Sequence, residues 1–288
     1  MPQGQLSRRK FLKMATAVAV TPLFAGSGGY MYATKVEPGW VHITHLELTL
    51  PRLTPAFDGF RLAQISDLHY DMEWMTKDRL RSAVELVNQQ QPDQVVITGD
   101  FITNRFTDAK RADLVEMLSA LPPKTFAVLG NHDHWASAQG IRTVIQQAGF
   151  IDLSNRVWTL KRNGERLFIA GVDDVWEKKQ RLDVVRKNLP ADGAAILLAH
   201  EPDFADTSAA LDRFDLQLSG HSHGGQVRLP MLGAPILPDM GQKYPSGLYQ
   251  VGSMYQYTNR GLGMIKPFVR FNCRPEITVI TLRAPTTI

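Results

Sequence analysis

The chain of 288 residues is 44% hydrophobic and 21% charged, a composition typical of a globular protein with a substantial core, and it contains no internal repeat or low-complexity tract. Its net charge of +4 comes from five basic residues that precede the first acidic residue, Glu37. The rest carries 27 basic and 28 acidic residues, so charge gives no reason to expect a nucleic-acid partner. The single cysteine, Cys273, excludes an intramolecular disulfide and is expected to be a small buried side chain.

Residues 1–34 have the features of an export signal. The twin-arginine pattern is matched by Ser7-Arg8-Arg9-Lys10-Phe11-Leu12-Lys13, and an uncharged stretch of 21 residues follows, Met14 to Thr34. We expect a twin-arginine signal peptide, recognition by the twin-arginine export machinery, and a location in the periplasm or on the outer face of the inner membrane. The small residues Ala25-Gly26-Ser27 favour cleavage. The length of the uncharged stretch, near the roughly 20 residues that span a bilayer, leaves an uncleaved anchor as the alternative.

Residues 35–288 are expected to form one catalytic domain in which strands and helices alternate. Apolar runs and alternation predict strands over residues 41–50, 61–66, 95–97, 126–129, 157–160, 167–171, 194–198, 216–218 and 277–282. Helical spacing predicts helices over residues 77–91, 111–121, 141–148 and 177–188. Beyond Gly224 the chain is rich in glycine and proline, and no element is predicted there before residue 277.

Polar motifs follow five of the predicted strands. They are Asp67-Leu68-His69, Gly99-Asp100, Gly130-Asn131-His132-Asp133, Ala199-His200-Glu201 and Gly220-His221-Ser222-His223. Ligands of α/β sheets bind outside the carboxyl ends of strands, so these motifs are expected to build one site. Each motif alone is weak, because a polar turn or a structural histidine at a strand end explains it equally well. The ordered series is what indicates a site.

The residue types in the series indicate metal binding. Asp67 and His69 stand two residues apart and would share one side of an extended segment. The carboxylate of Asp100 has two oxygens and can bridge two ions. Imidazole mixed with carboxylate and amide oxygen suits manganese, iron or zinc, and no thiol is available to select a softer metal. Seven such ligands are too many for one ion and suit a pair that clamps a phosphoryl group.

The motif series from Phe60 to Gln226 resembles the calcineurin-like metallophosphoesterase superfamily, and within it bacterial YaeI- and YkuE-type phosphodiesterases, with the YaeI type expected to be nearer. Further similar segments extend the resemblance over nearly the whole chain: Glu37 to Trp40, Leu198 to Asp203, Ser219 to Pro230, Asn259 to Gly263 and Asn272 to Glu276. The resemblance implies an α/β fold, namely a four-layer α/β/β/α sandwich with mixed sheets.

The resemblance also implies roles for the motif residues and two divalent ions per chain, with manganese preferred over iron or zinc. The first ion would be bound by Asp67, His69 and His223, the second by Asn131, His200 and His221, and Asp100 would bridge them. His132 would be the catalytic histidine, neutralising charge on the phosphoryl oxygens and protonating the leaving group. Asp133 would either orient His132 or cap the following helix, and His134 is left outside the core set.

The expected function is a metal-dependent phosphodiesterase in which a hydroxide bridging the two ions attacks phosphorus in line. Its substrate would be a small-molecule or envelope phosphodiester. One alternative is a pyrophosphatase of a nucleotide-linked lipid precursor of the UDP-diacylglucosamine type. For it, the C-terminal apolar stretch would contact an acyl chain instead of lying in the core: Leu262, Met264, Ile265, Phe268 and Phe271. The other alternative is a non-catalytic metal-binding envelope protein, against which the intact ligand set argues.

Overall fold

Two β-sheets of six strands each lie at the centre of the protein, of which the computed structural model describes residues 26–286. In chain order the strands are β1 (His42–Thr49), β2 (Arg61–Ile65), β3 (Gln94–Thr98), β4 (Phe126–Val128), β5 (Ile151–Asp152), β6 (Arg156–Arg162), β7 (Glu165–Gly171), β8 (Ala195–Leu198), β9 (Leu216–Ser219), β10 (Gly247–Val251), β11 (Met254–Thr258) and β12 (Glu276–Arg283). The first sheet has the order β1-β12-β2-β3-β4-β5, and the second has the order β10-β11-β9-β8-β7-β6.

Both sheets are mixed. In the first, β2, β3, β4 and β5 run parallel, whereas β12 is antiparallel to β2 and parallel to the edge strand β1. In the second, β7, β8, β9 and β11 run parallel, and the edge strands β6 and β10 are antiparallel to their neighbours. The consecutive parallel strands bring their carboxyl ends to one edge of each sheet.

The α-helices of the described residues are α1 (Ser27–Met31), α2 (Lys77–Gln89), α3 (Asp108–Leu118), α4 (Asn131–Gln147), α5 (Leu182–Asn188) and α6 (Ala205–Ala209). Helices α2, α3 and α4 cover the outer face of the first sheet, and α5 and α6 cover that of the second. The period-2 alternation of strand side chains divides the core into layers. In β3, Val95 and Ile97 pack toward α2, α3 and α4, while Val96 packs between the sheets against residues such as Ile196. A third cluster joins the second sheet to α5 and α6. The expected four-layer α/β/β/α sandwich is therefore confirmed.

Three predicted helices have different starts in the structure: the one predicted over 111–121 begins at Asp108, and the other two differ more. Helix α4 begins at Asn131, ten residues before the predicted start, because the Asp133 carboxylate accepts the Gly130 N–H at 3.0 Å and caps the first turn. A kink at Ser137 separates that turn from the predicted stretch. The helix predicted from residue 177 forms only from Leu182. Before it, Lys178 has φ of 56°, and the chain forms a loop.

The hairpin of β10 and β11 was missed, although the alternation in the two segments around Gly252 is a strand signal. The strand predicted over residues 41–50 is confirmed as β1, which lies at the edge of the first sheet.

The twin-arginine pattern and most of the uncharged stretch lie outside the described residues. Between residues 26 and 286, no helix has both the length and the apolar character required to cross a membrane. After α1 the chain packs on the body of the protein: the carbonyl of Ala33 accepts the Arg270 N–H at 2.9 Å, and the buried Glu37 carboxylate accepts the Asn272 N–H at 2.9 Å. The boundary between leader and catalytic domain at residue 34 stays a prediction.

Candidate metal centre

The five motifs lie together where strands of both sheets end. They follow β2, β3 and β4 in one sheet and β8 and β9 in the other, and they contribute Asp67, His69, Asp100, Asn131, His132, His200, His221 and His223. All except His132 are almost fully buried. The structure thus brings all seven predicted metal ligands and the predicted catalytic histidine to one edge of the sandwich.

The backbone of the site is turned rather than extended. The torsion φ is 50° at Asp67, 47° at His69, 55° at Asp100, 70° at His221 and 50° at His223. Left-handed conformations are uncommon for residues other than glycine and occur often at functional sites. The side chains of Asp67 and His69 therefore approach each other through a turn. The two residues come together as expected, but the backbone between them is not the extended segment that was predicted.

Asp67, His69 and His223 form one end of the cluster. His69 Nε2 lies 3.0 Å from His223 Nε2 and 4.0 Å from Asp67 Oδ1, and His223 Nε2 lies 3.4 Å from the same oxygen. The Asp67 carboxylate also accepts the His221 N–H at 3.0 Å, which holds it in place. These ligand atoms are close enough together for one cation to reach all three.

Asn131 and His221 lie at the other end. His221 Nε2 donates to the carbonyl oxygen of Asp239 at 2.9 Å, so Nε2 carries the proton and Nδ1 presents a lone pair. That lone pair faces Asn131 Oδ1 at 3.0 Å. Two acceptors at this distance repel each other, and a cation between them would convert the repulsion into two coordination bonds.

Asp100 and His200 connect the two ends. His200 Nδ1 donates to the Thr98 carbonyl at 2.7 Å, so Nε2 is the atom that faces Asp100 Oδ2, at 3.2 Å. The same Oδ2 lies 3.4 Å from His69 Nε2. Burial lowers the pKa of His200, but the nearby Asp100 carboxylate outweighs this and raises it well above its ordinary value. Without metal, a proton on His200 Nε2 therefore lies between this nitrogen and Asp100 Oδ2. Binding of a metal ion by His200 would release that proton.

The cluster offers overlapping sets of side chains that could hold a divalent cation. Three groups of His and Asp side chains hold ligand atoms within coordination reach of a common point, and Asp100 belongs to two of them. Burial raises the pKa of Asp67 to about 6 and lowers that of His69 to about 3, so each side chain is pushed toward its neutral form. A cation in the cluster would stabilise the ionised carboxylate of Asp67, and it would be bound by the neutral imidazole of His69.

His132 lies at the border of the cluster and the adjoining cavity. Its backbone N–H donates to Asp100 Oδ1 at 2.9 Å, and its Nδ1 donates to the Thr103 carbonyl at 2.5 Å. These contacts leave Nε2 for a substrate. Its ring also contacts that of His69 at 4.7 Å between centroids. His69, Asp100 and His132 form the third group that could hold an ion, so geometry alone permits His132 as a ligand too.

Asp133 and His134 support the site from outside. Asp133 accepts the backbone N–H groups of Gly130 and Phe101 at 3.0 and 2.8 Å, so it caps α4 and ties it to the Asp100 loop. Of the two expected roles, the structure supports the cap. His134 Nε2 bonds to Asp173 Oδ1 at 2.8 Å and joins α4 to the loop after β7.

Arg270 is a functional candidate that the sequence analysis missed. Its guanidinium is fully buried and donates to four backbone carbonyls, including those of Gly261 and Gly263 at 3.0 and 2.6 Å. The N–H of Gly263 in turn donates to the carbonyl of Asp67 at 2.7 Å. Arg270 therefore fixes the loop behind the first metal ligand. An arginine in an apolar stretch was the signal available in the sequence.

A cavity of about 1250 Å³ opens beside the cluster. Asp100, Asn131 and His132 lie in its lining, together with Trp135 and Trp176, whose rings meet edge to face at 6.0 Å. Trp135 stands three residues after His132 and so lies on the same face of α4, a signal present in the sequence. Most of the remaining lining is apolar.

The C-terminal apolar stretch divides between core and cavity. Leu262 and Met264 are buried core residues, whereas Ile265, Phe268 and Phe271 line the cavity. Part of the stretch therefore lies in the core and part lines the cavity, and contact with an acyl chain stays a prediction.

Comparison with known proteins identifies the class. The calcineurin-like phosphoesterase family matches residues 60–225, the range that contains all seven predicted ligands and His132. The chain belongs to this family and is a hydrolase that acts on phosphoester bonds.

The chain is similar along nearly its whole length to two bacterial proteins. It is 37% identical to the metallophosphoesterase YkuE of Bacillus subtilis, covering 97% of this chain and 99% of YkuE. It is 30% identical to the phosphodiesterase YaeI of Escherichia coli, covering 96% of this chain and 99% of YaeI. The family expected from the sequence is thus confirmed, but identity is higher to YkuE than to YaeI, opposite to the expected order. The solved structure of TT1561 from Thermus thermophilus aligns with a TM-score of 0.47 at 13% identity, over 70% of this chain and 89% of that one.

Proposed function

We propose that the protein is a metal-dependent phosphodiesterase with a two-ion centre. The observation that carries the proposal is the pairing of acceptor atoms in the buried cluster, with Asp100 Oδ2 between His69 Nε2 at 3.4 Å and His200 Nε2 at 3.2 Å. A carboxylate in this position can serve two ions at once. The similarity to YaeI, which is named a phosphodiesterase, supports a diester substrate.

The chain's own residues would have separate tasks. Asp67, His69 and His223 would hold one ion, Asn131, His200 and His221 the other, and Asp100 both. Two such ions supply an activated water at neutral pH and stabilise charge on the phosphoryl oxygens. The carbonyls of Thr98 and Asp239 fix which nitrogen of His200 and His221 faces the ions.

His132 would act on the substrate directly. Because Nδ1 is committed to the Thr103 carbonyl, Nε2 is the atom that can donate to a phosphoryl oxygen and pass a proton to the leaving oxygen. The carbonyl contact holds the ring in orientation during that transfer. Catalysis then depends on positioning and charge more than on covalent chemistry.

Hydrolysis of bis(p-nitrophenyl) phosphate tests the proposal. We expect activity that EDTA abolishes and added Mn²⁺ restores more fully than Fe²⁺ or Zn²⁺, with two ions per chain by elemental analysis. Asp100→Ala should lose activity and loosen both ions. Asp206→Ala is the matched control, because Asp206 pairs with Lys243 on the surface and lies outside the cluster. Activity that survives in Asp100→Ala or after complete metal removal would refute the two-ion centre.

A second candidate is a pyrophosphatase of a nucleotide-linked lipid precursor, favoured by the apolar lining of the cavity next to the cluster. The same centre would cleave a phosphoanhydride and release a nucleoside monophosphate. The test compares UDP-diacylglucosamine with simple diesters. Phe268→Ala should raise the KM for a long-chain substrate and leave that for bis(p-nitrophenyl) phosphate unchanged. Failure to release UMP from the diacylated nucleotide would remove this candidate.

We also propose export by the twin-arginine route, with the protein acting in the periplasm or on the outer face of the inner membrane. The support is the sequence pattern from Ser7 to Lys13. The double change Arg8→Lys and Arg9→Lys should retain the protein in the cytoplasm, as shown by cell fractionation, whereas Lys13→Arg should not. Normal export of the double variant would contradict the proposal.

A further inference from the structure

Several large apolar side chains are exposed around the mouth of the cavity. Tyr30, Ile236 and Ile265 line the cavity and are nevertheless 69%, 62% and 37% exposed. Met231 and Leu232 are 103% and 68% exposed. We call these side chains, together with the exposed Met31 that follows Tyr30, the apolar rim. Exposed apolar groups gathered at one place usually mark an interaction site, whereas scattered ones do not.

Four of the six rim side chains lie on two segments that the fold holds in place. Met231 and Leu232 form the tip of a tight turn closed by two backbone hydrogen bonds between Leu229 and Gly233, at 2.8 and 2.9 Å, and Leu229 lines the cavity below. Tyr30 belongs to α1, which is tied to the body through Ala33. Neither segment is a loose loop, so the rim presents a defined surface.

The chain that precedes the rim points to its occupant. The described residues begin at Gly26, four positions before Tyr30, and the segment just before them, Met14 to Ala25, carries no charge. While the leader is retained, an apolar segment thus joins the protein next to the rim. Lys35, in the lining near α1, adds positive charge suited to anionic head groups. A lipid surface matches all three features, which are exposed apolar side chains, an adjoining apolar segment and a basic residue.

We propose that the apolar rim docks on a lipid bilayer and turns the mouth of the cavity toward the membrane surface. The rim side chains would enter the boundary between head groups and acyl chains, and a phosphoester at that surface would reach the cluster through the cavity. This inference goes beyond the proposed hydrolytic activity and does not depend on it, because docking needs neither metal nor turnover.

Site-specific fluorescence on the full chain tests the docking. Leu232→Cys is labelled with the environment-sensitive fluorophore NBD, since the single native cysteine, Cys273, is buried. The control is Lys161→Cys, exposed on β6 close to the β6–β7 turn. That turn precedes β7, so it lies at the end of the second sheet opposite to the site. Vesicles contain phosphatidylethanolamine and phosphatidylglycerol at a ratio of about three to one.

The expected result is a severalfold rise and a blue shift of NBD emission at position 232 on vesicle addition, quenched by spin-labelled acyl chains, with no change at position 161. Unchanged emission at position 232, or equal changes at both positions, overturns the proposal. A change that follows protein concentration without lipid assigns the rim to a second copy of the chain and overturns it as well. Hydrolysis of bis(p-nitrophenyl) phosphate in lipid-free buffer is measured separately, so failure of docking and failure of the proposed activity remain distinguishable.

Discussion

Arg270→Met removes the buried guanidinium that holds the loop behind the metal centre. The Arg270 side chain has no solvent exposure and donates to the carbonyls of Cys273 at 3.0 Å, Arg260 at 2.9 Å, Gly261 at 3.0 Å and Gly263 at 2.6 Å. Methionine fills much of the volume but donates none of these bonds. The substitution therefore isolates the hydrogen bonds from the packing.

The size of the effect follows from opposing contributions. Hydrogen bonds to charged groups contribute about 1.5–3 kcal/mol each, and four carbonyls lose their donor together. Removing the guanidinium also removes its desolvation cost, several kcal/mol for a buried ion, which offsets part of that loss. We expect the free energy of unfolding to fall by about 3–5 kcal/mol. For a domain of this size the midpoint of thermal unfolding should fall by roughly 6–20 °C.

Thermal unfolding followed by circular dichroism in EDTA measures this without the stabilisation that bound metal adds. Arg213→Met is the matched control, because Arg213 is partly exposed on the other sheet and donates to the carbonyls of Pro190 and Asp192 at 2.8 and 3.0 Å. It should change the midpoint much less. A fall of only a degree or two in Arg270→Met, or an equal fall in the control, would refute the role assigned to Arg270.

Three further substitutions test the site and its surroundings. His132→Ala should retain metal and lose about 10²–10⁴-fold in turnover on alkyl diesters, measured by the rate of alcohol release; a wild-type rate would contradict its role. Gly99→Ala places a Cβ 2.6 Å from His200 Nδ1 at a φ of 95°, and we expect calorimetry to show no metal binding. The control is Gly149→Ala, which has a φ of 78° and open space around the added Cβ. Chemical denaturation should show that the control loses only about 1–2 kcal/mol of stability. Burial raises the pKa of Asp174 to about 9, so the folded state retains a proton that the unfolded state releases above pH 4, and stability declines as pH rises toward 9. Asp174→Asn should remove that decline and unfold at higher denaturant concentration than wild type at pH 8; an unchanged pH profile would show that Asp174 is ionised.

Sequence patterns were sufficient to predict the order of layers and the place of the site, for physical reasons. The runs at 61–66 and 95–97 are short, apolar and followed by polar motifs, which is how buried parallel strands end at a ligand site. Tertiary contacts decide what was missed. Helix α4 starts at Asn131 because a side chain three residues into the turn caps it, and the residues before α5 stay unwound because the loop there bonds across the sheet edge.

The segment after Gly224 shows the limit of local reasoning most clearly. Its glycines and prolines suggested a region without elements, yet it supplies the hairpin of β10 and β11, the cavity wall and Arg270. The path of such a chain depends on contacts with residues far away in sequence, for example the bond between Glu37 and the Asn272 N–H. Periodicity within a short window carries no information on contacts of this kind.

The position of β12 governs when the protein can fold during synthesis. This strand inserts between β1 and β2, pairing Ile277 with Ile43 and Ile280 with Leu62. The strands β1 and β2 therefore have no direct contact with each other, although both are made early in translation. They become neighbours in one sheet only after β12 has been synthesised. Until then the apolar faces of β1 and β2 lack their partner strand, and exposed surface of this kind favours aggregation of partly folded chains. Synthesis of β12, rather than emergence of the metal-binding motifs, is the step that completes the first sheet.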